Sequence, residues 1–94
     1  MHPLIESHRA ELLALASRRG VTGVRVFGSM SRSDASDSSD VDLLVTLTPG
    51  TSALALGGLL LDAQELLGRG VDVVTEASLH PALRERVMAG AVAL

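Results

Sequence analysis

The sequence predicts an α/β fold, and three observations support this class. Helical and strand-like hydrophobic patterns alternate along the chain, the strand-like segments are short and rich in β-branched residues, and no internal repeat or low-complexity tract interrupts them. At 94 residues the chain is long enough for one compact core and too short for two. We therefore predict a single domain over residues 1–94.

The first predicted elements are a helix and a strand. The helix begins after Pro3, a residue favoured in a first turn, and apolar side chains then recur at helical spacing. A cationic pair followed by glycine ends it, at Arg18, Arg19 and Gly20. The β-branched segment Val21–Phe27 predicts the first strand, which ends at Gly28-Ser29.

The middle of the chain predicts a polar loop, a strand and a helix. Residues 29–39 are small and polar and predict a short helical turn followed by a surface loop, which Asp34 and Asp37 solvate. Residues 40–47 predict a buried strand with charge at its entrance. After the turn at Pro49-Gly50, leucines at helical spacing predict a helix that ends at Gly68.

The last third of the chain predicts a strand, a helix and a short edge strand. Residues 71–75 form the strand, and residues 81–88 form the helix, with Leu83, Val87 and Met88 directed inward. The tail, residues 91–94, adds the edge strand.

Composition excludes several classes of function. The net charge is −3 and the basic residues are scattered, which argues against stable nucleic-acid binding. Phe27 is the only aromatic residue, so aromatic platforms for bases are absent, and the lack of cysteine removes thiol nucleophiles and disulfides. No segment has the unbroken apolar length of a membrane span. We expect a soluble, cytoplasmic protein.

Three aspartates occupy matching places in the predicted strands. Asp40 and Asp42 are two residues apart at the entrance of the second strand, which puts both carboxylates on one face, about 6–7 Å apart along the backbone. Asp72 lies near the start of the third strand, and the intervening helix is the usual crossover between parallel strands. If these strands are neighbours, the three carboxylates meet at one edge of the sheet.

The Gly28-Ser29 pair lies at the end of the first strand. If that strand is antiparallel to the second, its end lies beside the same acids. Gly28 then permits a ligand to approach closely, and Ser29 with the first N–H groups of the short helix can receive phosphate oxygens. A polyphosphate bridged to carboxylates by Mg²⁺ is the ligand that this arrangement suits.

The chain resembles the minimal nucleotidyltransferases of the DNA polymerase beta superfamily, whose signature is G-S-x-A-R-G, a short loop, and S-D-x-D-L-x-V. The matching segments are Gly28-Ser29-Met30-Ser31-Arg32-Ser33 and Ser39-Asp40-Val41-Asp42-Leu43-Leu44-Val45. Residues 66–74 also resemble the family's segment with the third acid, so that the resemblance covers nearly the whole chain. Ser31 and Ser33 depart from the pattern, which has Ala and Gly there.

The resemblance implies a nucleotidyltransferase fold with a small mixed sheet and flanking helices, together with Mg²⁺ and a nucleoside triphosphate, often ATP. It implies that Asp40 and Asp42 hold two metal ions and that Asp72 completes the second metal site, so that all three are catalytic. It places the nucleotide at Gly28, Ser29, Arg32 and Ser39. Many members are similar to antitoxins encoded beside a HEPN-domain ribonuclease toxin, which they inactivate by adenylylating a toxin tyrosine.

Three functions are open at this stage. The first is an adenylyltransferase that acts as an antitoxin, and the second is a non-catalytic module that masks a partner's surface. The third is a transferase for a small molecule or an RNA end, against which the lack of an extra substrate domain counts. Leucines of the long helix could cover a second copy of the chain or a docked toxin. The charged face at Arg84, Glu85 and Arg86 is either a solvated surface or a contact for a partner or nucleotide.

Overall fold

The computed structural model describes residues 1–32, 36 and 38–94, so the predictions made for Ser33, Asp34 and Asp37 lie outside the described residues. Its helices are α1 (Pro3–Ser7), α2 (Arg9–Arg18), α3 (Leu54–Leu67) and α4 (Pro81–Gly90). Its strands are β1 (Val21–Phe27), β2 (Val41–Leu47), β3 (Val71–Thr75) and β4 (Val92–Ala93). Short 3₁₀ turns follow β1 at Gly28–Ser31 and β3 at Glu76–Ser78.

The strands form one mixed sheet in the order β3-β2-β1-β4. β1 is antiparallel to both β2 and β4, whereas β2 and β3 are parallel and are joined by the crossover helix α3. This arrangement confirms the predicted α/β class, the mixed sheet and the short edge strand at the end of the chain. Because β1 runs against β2, the end of β1 lies beside the beginning of β2 and β3.

One face of the sheet forms the hydrophobic core. Alternate residues of the three longer strands point to this face, where α1, α2 and α3 cover them. The strand residues are Val24, Val26, Val41, Leu43, Val45 and Val71, and the helix residues are Ile5, Leu12, Ala16, Leu59, Ala63 and Leu67. All of them are aliphatic, as the near absence of aromatic residues requires.

The opposite face of the sheet carries polar side chains and is called the site face here. The strand register places Arg25, Leu44 and Val74 in one row across it, and Phe27, Asp42 and Asp72 in the next row. Helix α4 lies over the β1 side of this face, where the Arg25 guanidinium donates to the Met88 sulfur at 3.9 Å. None of the residues of α4 is buried, so the helix covers the site face only partly.

The first helix is not continuous, contrary to the prediction. It breaks at His8, where α1 ends and α2 begins. The His8 Nδ1 atom lies 2.8 Å from the Leu4 carbonyl oxygen, and the Ser7 hydroxyl donates to the same oxygen at 3.1 Å. These side chains occupy the acceptor that the continuing helix would use. Local side-chain hydrogen bonds therefore override the helical hydrophobic pattern.

Helix α3 begins at Leu54 and ends at Gly68, as predicted for its end. The Leu54 N–H donates to the Ser52 hydroxyl at 3.2 Å, and Gly68 ends the helix in a left-handed conformation with φ +66°.

Among the described helices, none combines the length and the apolar character that crossing a membrane requires.

Helix α4 differs from its prediction in one residue. Leu83, predicted to point inward, is 50% exposed, whereas Val87 and Met88 are partly buried. The helix begins at Pro81, and the His80 ring accepts a hydrogen bond from the Ala82 N–H at 3.1 Å. Residues 81–86 are all exposed, so the first turns of α4, with Leu83, extend into solvent instead of packing on the sheet.

Candidate active site

The strand register brings two of the three predicted acids side by side. Asp42 of β2 pairs with Asp72 of the parallel strand β3, and with Phe27 of the antiparallel strand β1. Residues that pair across a sheet point to the same face, so both carboxylates lie on the site face. The expectation that β2 and β3 are neighbours with their acids at one edge of the sheet is therefore met for this pair.

Asp42 is the least exposed of the three acids. It is only partly exposed, while Asp40 and Asp72 are exposed. Burial raises the pKa of the Asp42 carboxyl above its usual range, and the negative charges of Asp72 and Asp40 raise this pKa further. The charges of both neighbours therefore reach Asp42, which lies at the centre of the acidic group. A bound cation would relieve this repulsion.

Asp40 lies immediately before β2, against the backbone of the residues that lead into β3. A Cβ atom on Gly70 would lie 2.6 Å from Asp40 Oδ1, a distance that real Cβ atoms do not show. The Gly70 carbonyl also accepts a hydrogen bond from the Val41 N–H at 2.9 Å. Gly70 thus leaves room for the Asp40 carboxylate and joins the beginnings of the two strands.

Gly28 makes similar room for Asp42. Its φ is +69°, a left-handed conformation that other residues rarely adopt, and a Cβ atom here would lie 2.5 Å from Asp42 Oδ2. The turn that follows β1 is thus in direct contact with the central acid of the site. The prediction that the glycine turn arrives beside the acids agrees with this geometry.

The Gly28–Ser31 turn is stabilised from its C-terminal side. The Ser31 hydroxyl donates to the Gly28 carbonyl at 2.7 Å, and the Arg32 N–H donates to the Ser29 carbonyl at 3.2 Å. No side chain among the described residues caps the N-terminal end of the turn. Ser31, one of the two departures from the family pattern, therefore stabilises the turn through its hydroxyl. Its hydrogen bond does not involve the N–H groups at the N-terminal end of the turn.

The loop before β2 is held by Arg69. The Arg69 guanidinium donates to the carbonyl oxygens of Ser36 at 2.9 Å and of Ser39 at 3.3 Å. The Ser39 hydroxyl accepts a hydrogen bond from the Ser36 N–H at 2.9 Å. Ser39, predicted to contact the nucleotide, thus already has a structural role in the loop that precedes Asp40, and its nucleotide contact stays a prediction.

A shallow cavity of about 190 Å³ lies beside the turn. Its walls come from the end of β1, from the turn and from α4; the lining residues are Phe27, Gly28, Ser31, Arg32, Arg86, Val87 and Gly90. A larger open groove of about 520 Å³ lies between α2 and α3, lined by residues such as Glu11, Arg18, Asp62 and Glu65. This groove contains neither the glycine turn nor any acid of the site, whereas the smaller cavity includes Gly28, which contacts Asp42.

The structure thus brings Gly28 and Ser29 to the same corner of the site face as Asp40, Asp42 and Asp72, with Arg32 at the edge of the adjacent cavity. Within the described residues, no three carboxylate or imidazole groups are already arranged to enclose one metal ion. The metal-binding and catalytic roles of the three aspartates stay predictions.

Sequence reasoning missed Gly70 and Arg69, and it left Arg86 open between a solvated surface and a contact for a partner or nucleotide. The signal for Gly70 was its place directly before the strand with the third acid. Arg69 gave no local signal, because the carbonyl groups that it holds are some thirty residues away in sequence.

The comparison with known proteins identifies the family. The family model of the nucleotidyltransferase domain matches residues 5–94. The protein adenylyltransferase MntA of Thermococcus cleftensis is 35% identical over 85 residues, which cover 90% of this chain and 83% of the relative. MJ0435 of Methanocaldococcus jannaschii, whose name proposes the same activity, is 35% identical over 88 residues, 94% of this chain and 95% of the relative.

Solved structures agree with this result. A structure described as a proposed minimal nucleotidyltransferase has a TM-score of 0.85 and 42% identity, and the match covers 100% of this chain and 97% of that chain. A toxin–antitoxin structure with AMP-PNP has a TM-score of 0.75 at 21% identity, with 89% of this chain and 69% of that chain covered, and it supports the fold alone. The predicted fold and enzyme class are confirmed: the chain belongs to the nucleotidyltransferase domain family.

Proposed function

We propose that the chain is a Mg²⁺-dependent protein adenylyltransferase that acts as an antitoxin. It transfers AMP from ATP to a hydroxyl group of a partner protein, for which a tyrosine of a HEPN-type toxin is the expected acceptor. The observation that carries the proposal is the placement of Gly28 in direct contact with Asp42, which is itself paired with Asp72. A turn suited to phosphate and a pair of acids suited to a cation thus lie at one corner of the sheet, which supports the proposal.

The acids fit a divalent cation on chemical grounds. Mg²⁺ prefers carboxylate oxygens. Burial and, after it, the charges of Asp72 and Asp40 raise the pKa of Asp42, and such an ion would neutralise this negative charge. Asp40, Asp42 and Asp72 would hold it. In the described part of the chain no hydrogen bond or ion pair restrains the exposed Asp40 carboxylate, so it is free to rotate toward a ligand. When bound, Mg²⁺ would supply charge stabilisation for the attacking and leaving oxygens of an in-line displacement.

The Gly28–Ser31 turn fits the triphosphate. Its first N–H groups have no side-chain cap among the described residues, and phosphate oxygens are the acceptors that such groups favour. The transfer forms a bond between the acceptor oxygen and the α-phosphorus and breaks the bond from that phosphorus to the bridging oxygen of the β-phosphate. Pyrophosphate leaves with the electron pair, and the acceptor proton passes to solvent or to a carboxylate of the site.

The nature of the acceptor is inferred from the relatives. MntA of Thermococcus cleftensis is named a protein adenylyltransferase, and the fold neighbour with AMP-PNP is a toxin–antitoxin complex. The proposal places the reaction in the cytoplasm, where ATP and Mg²⁺ are abundant.

The test is transfer of a radioactive label to the protein encoded by the neighbouring reading frame. Wild type with Mg²⁺ and ATP labelled at the α-phosphate should label this partner, whereas ATP labelled at the γ-phosphate should not. The variant with both Asp40→Asn and Asp42→Asn should lose the labelling. Glu85→Gln, which removes an exposed charge from α4, is the control and should label normally.

Two results would contradict the proposal in different ways. Equal labelling by wild type and by the double Asn variant would show that these acids are not needed. A double Asn variant that transfers nothing yet still neutralises the partner would support the alternative of a non-catalytic module that masks the partner's surface.

A further inference from the structure

We propose that Arg86 of α4 binds the terminal phosphates of the nucleoside triphosphate and holds the leaving pyrophosphate. This inference rests on the proposed function, because it assigns a further part of the same site. Arg86 lies outside the glycine turn and outside the segments with the three acids, and only the fold brings it near them.

Arg86 lines the cavity of about 190 Å³ that lies beside the Gly28–Ser31 turn. Arg86 and Val87 line the cavity from α4, while Phe27 and Gly28 line it from β1 and the turn. Gly28 is thus shared between the cavity and the acids, because it also contacts the Asp42 carboxylate. A ligand that lies over Gly28 is therefore bordered by the acids and by the cavity that Arg86 lines.

Arg86 also differs from most of the other arginines in its bonding, and among the described residues it shares the lack of a hydrogen-bonded partner with Arg18 on α2. Arg9, Arg19 and Arg84 each pair with a carboxylate, in contacts that structure the helices and the second 3₁₀ turn. Arg69 donates to loop carbonyls and Arg25 to a methionine sulfur. Within the part of the chain that the structure describes, the Arg86 guanidinium has no such partner. Its fork of N–H donors is therefore available to an anion.

The order of the three phosphates in the nucleoside triphosphate determines which of them lie near Arg86. The α-phosphorus must lie at the acids, because the metal-dependent attack occurs there. The β- and γ-phosphates then extend away from the acids, across Gly28 and into the cavity. Their negative charge accumulates as the bond to the α-phosphate breaks, and the apolar walls at Phe27 and Val87 strengthen the attraction by displacing water.

The competing occupant of the cavity is the nucleobase, which could pack between the same apolar walls. The two occupants make different demands on Arg86. A phosphate contact matters for every ligand with terminal phosphates, including pyrophosphate, and not for AMP. A contact with the base matters for AMP and not for pyrophosphate.

The experiment is calorimetric titration of the full chain, in the presence of Mg²⁺, with α,β-methylene ATP, pyrophosphate and AMP. The test variants are Arg86→Gln, which keeps much of the side-chain stem, and Arg86→Ala. Arg18→Gln removes an equal charge from α2, away from the site, and is the matched control. Circular dichroism establishes that each variant is folded, as expected for substitutions of exposed residues.

We expect both Arg86 variants to bind α,β-methylene ATP and pyrophosphate about tenfold more weakly than wild type, the loss of a charge-assisted hydrogen bond. AMP binding should be unchanged, and Arg18→Gln should match wild type throughout. Unchanged binding of pyrophosphate, or an equal loss for AMP, would overturn this inference alone. Failure of the wild type to bind any of the three ligands would overturn the proposed function as well.

Discussion

The carboxylate of Asp42 occupies the space that a side chain on Gly28 would need: Oδ2 lies 2.5 Å from the position of a Cβ atom there. The turn and the acid are therefore matched in shape, and neither can change without the other. Gly28 meets two demands at once, since its φ of +69° provides the turn and its missing side chain admits the carboxylate.

Gly28→Ala should lower both stability and activity. The left-handed conformation and the contact with Asp42 should together reduce the free energy of unfolding by about 1–3 kcal/mol. Displacement of the carboxylate should also reduce nucleotide transfer by an order of magnitude or more, since small errors in such geometry are costly. Urea unfolding and the labelling assay measure the two effects.

The matched control is Gly57→Ala in α3. An added Cβ atom at Gly57 meets nothing within 4 Å, and its φ is not positive. This change should raise the free energy of unfolding by about 0.5–1 kcal/mol, because alanine favours the helix. A Gly28→Ala variant that behaves like Gly57→Ala would show that the turn has another conformation in solution.

Gly70→Ala should affect the metal more than the fold. A Cβ atom there would lie 2.6 Å from Asp40 Oδ1, yet Asp40 is exposed and its side chain can rotate away. We therefore expect less than about 1 kcal/mol of destabilisation. The apparent affinity for Mg²⁺ should fall several-fold, as measured by the Mg²⁺ concentration needed for half-maximal labelling. Unchanged dependence on Mg²⁺ would mean that the position of Asp40 beside Gly70 has no bearing on the metal.

Asp42→Asn should stabilise the metal-free protein at neutral pH. Because burial and neighbouring acids raise the pKa of Asp42, ionisation of this carboxyl disfavours the folded state. The stability of the wild type should fall as pH rises from the usual aspartate range through the raised pKa, and the variant should lack this fall. At pH 7 we expect a gain of about 0.5–1 kcal/mol in unfolding free energy.

Thermal unfolding with and without Mg²⁺ and ATP extends this prediction. Ligands should stabilise wild type by about 2–3 kcal/mol at a hundred times their dissociation constant, and should stabilise Asp42→Asn much less. A metal-free Asp42→Asn protein that melts below wild type would show that the carboxylate supports the fold.

The pair Arg19–Asp62 should make a pH-dependent contribution of the opposite sign. Arg19 Nε donates to Asp62 Oδ2 at 2.7 Å and joins α2 to α3. This hydrogen bond lowers the pKa of Asp62 from its ordinary value of 3.8, so the pair stabilises the fold above that value and loses its effect as pH falls through the lowered pKa. The wild type should thus exceed Arg19→Gln in stability at pH 7, with the difference shrinking toward pH 3. A difference that is constant with pH would exclude the ion pair as its cause.

Much of the fold could be predicted because each strand is a distinct aliphatic segment bounded by Gly, Pro or Ser. The alternation of Asp42 with the buried Val41 and Leu43 identified the entrance of β2 and the face of its acids. The break at His8 could not be predicted, because it depends on whether the imidazole and the Ser7 hydroxyl bond the Leu4 carbonyl. The helical spacing of apolar residues does not show whether these side-chain hydrogen bonds form.

The candidate site was predictable only where its residues are adjacent in sequence. Gly28-Ser29 and Asp40-Val41-Asp42 form local motifs, whereas the clearance that Gly70 gives Asp40 requires knowledge of how β2 and β3 meet. Arg86 lies in a run of charged residues that looks like any solvated helix face. Its cavity exists because α4 lies over the end of β1, a contact made by residues some sixty positions apart.

Helix α4 has no buried residue, whereas the sheet and the other helices provide the buried aliphatic core. Surface substitutions usually change unfolding free energy by no more than about 0.5 kcal/mol. Mutations in α4 can therefore accumulate without endangering the fold, although the helix borders the reaction. Selection can adjust how tightly pyrophosphate is held, or which acceptor fits, on a segment whose side chains contribute little to the buried core.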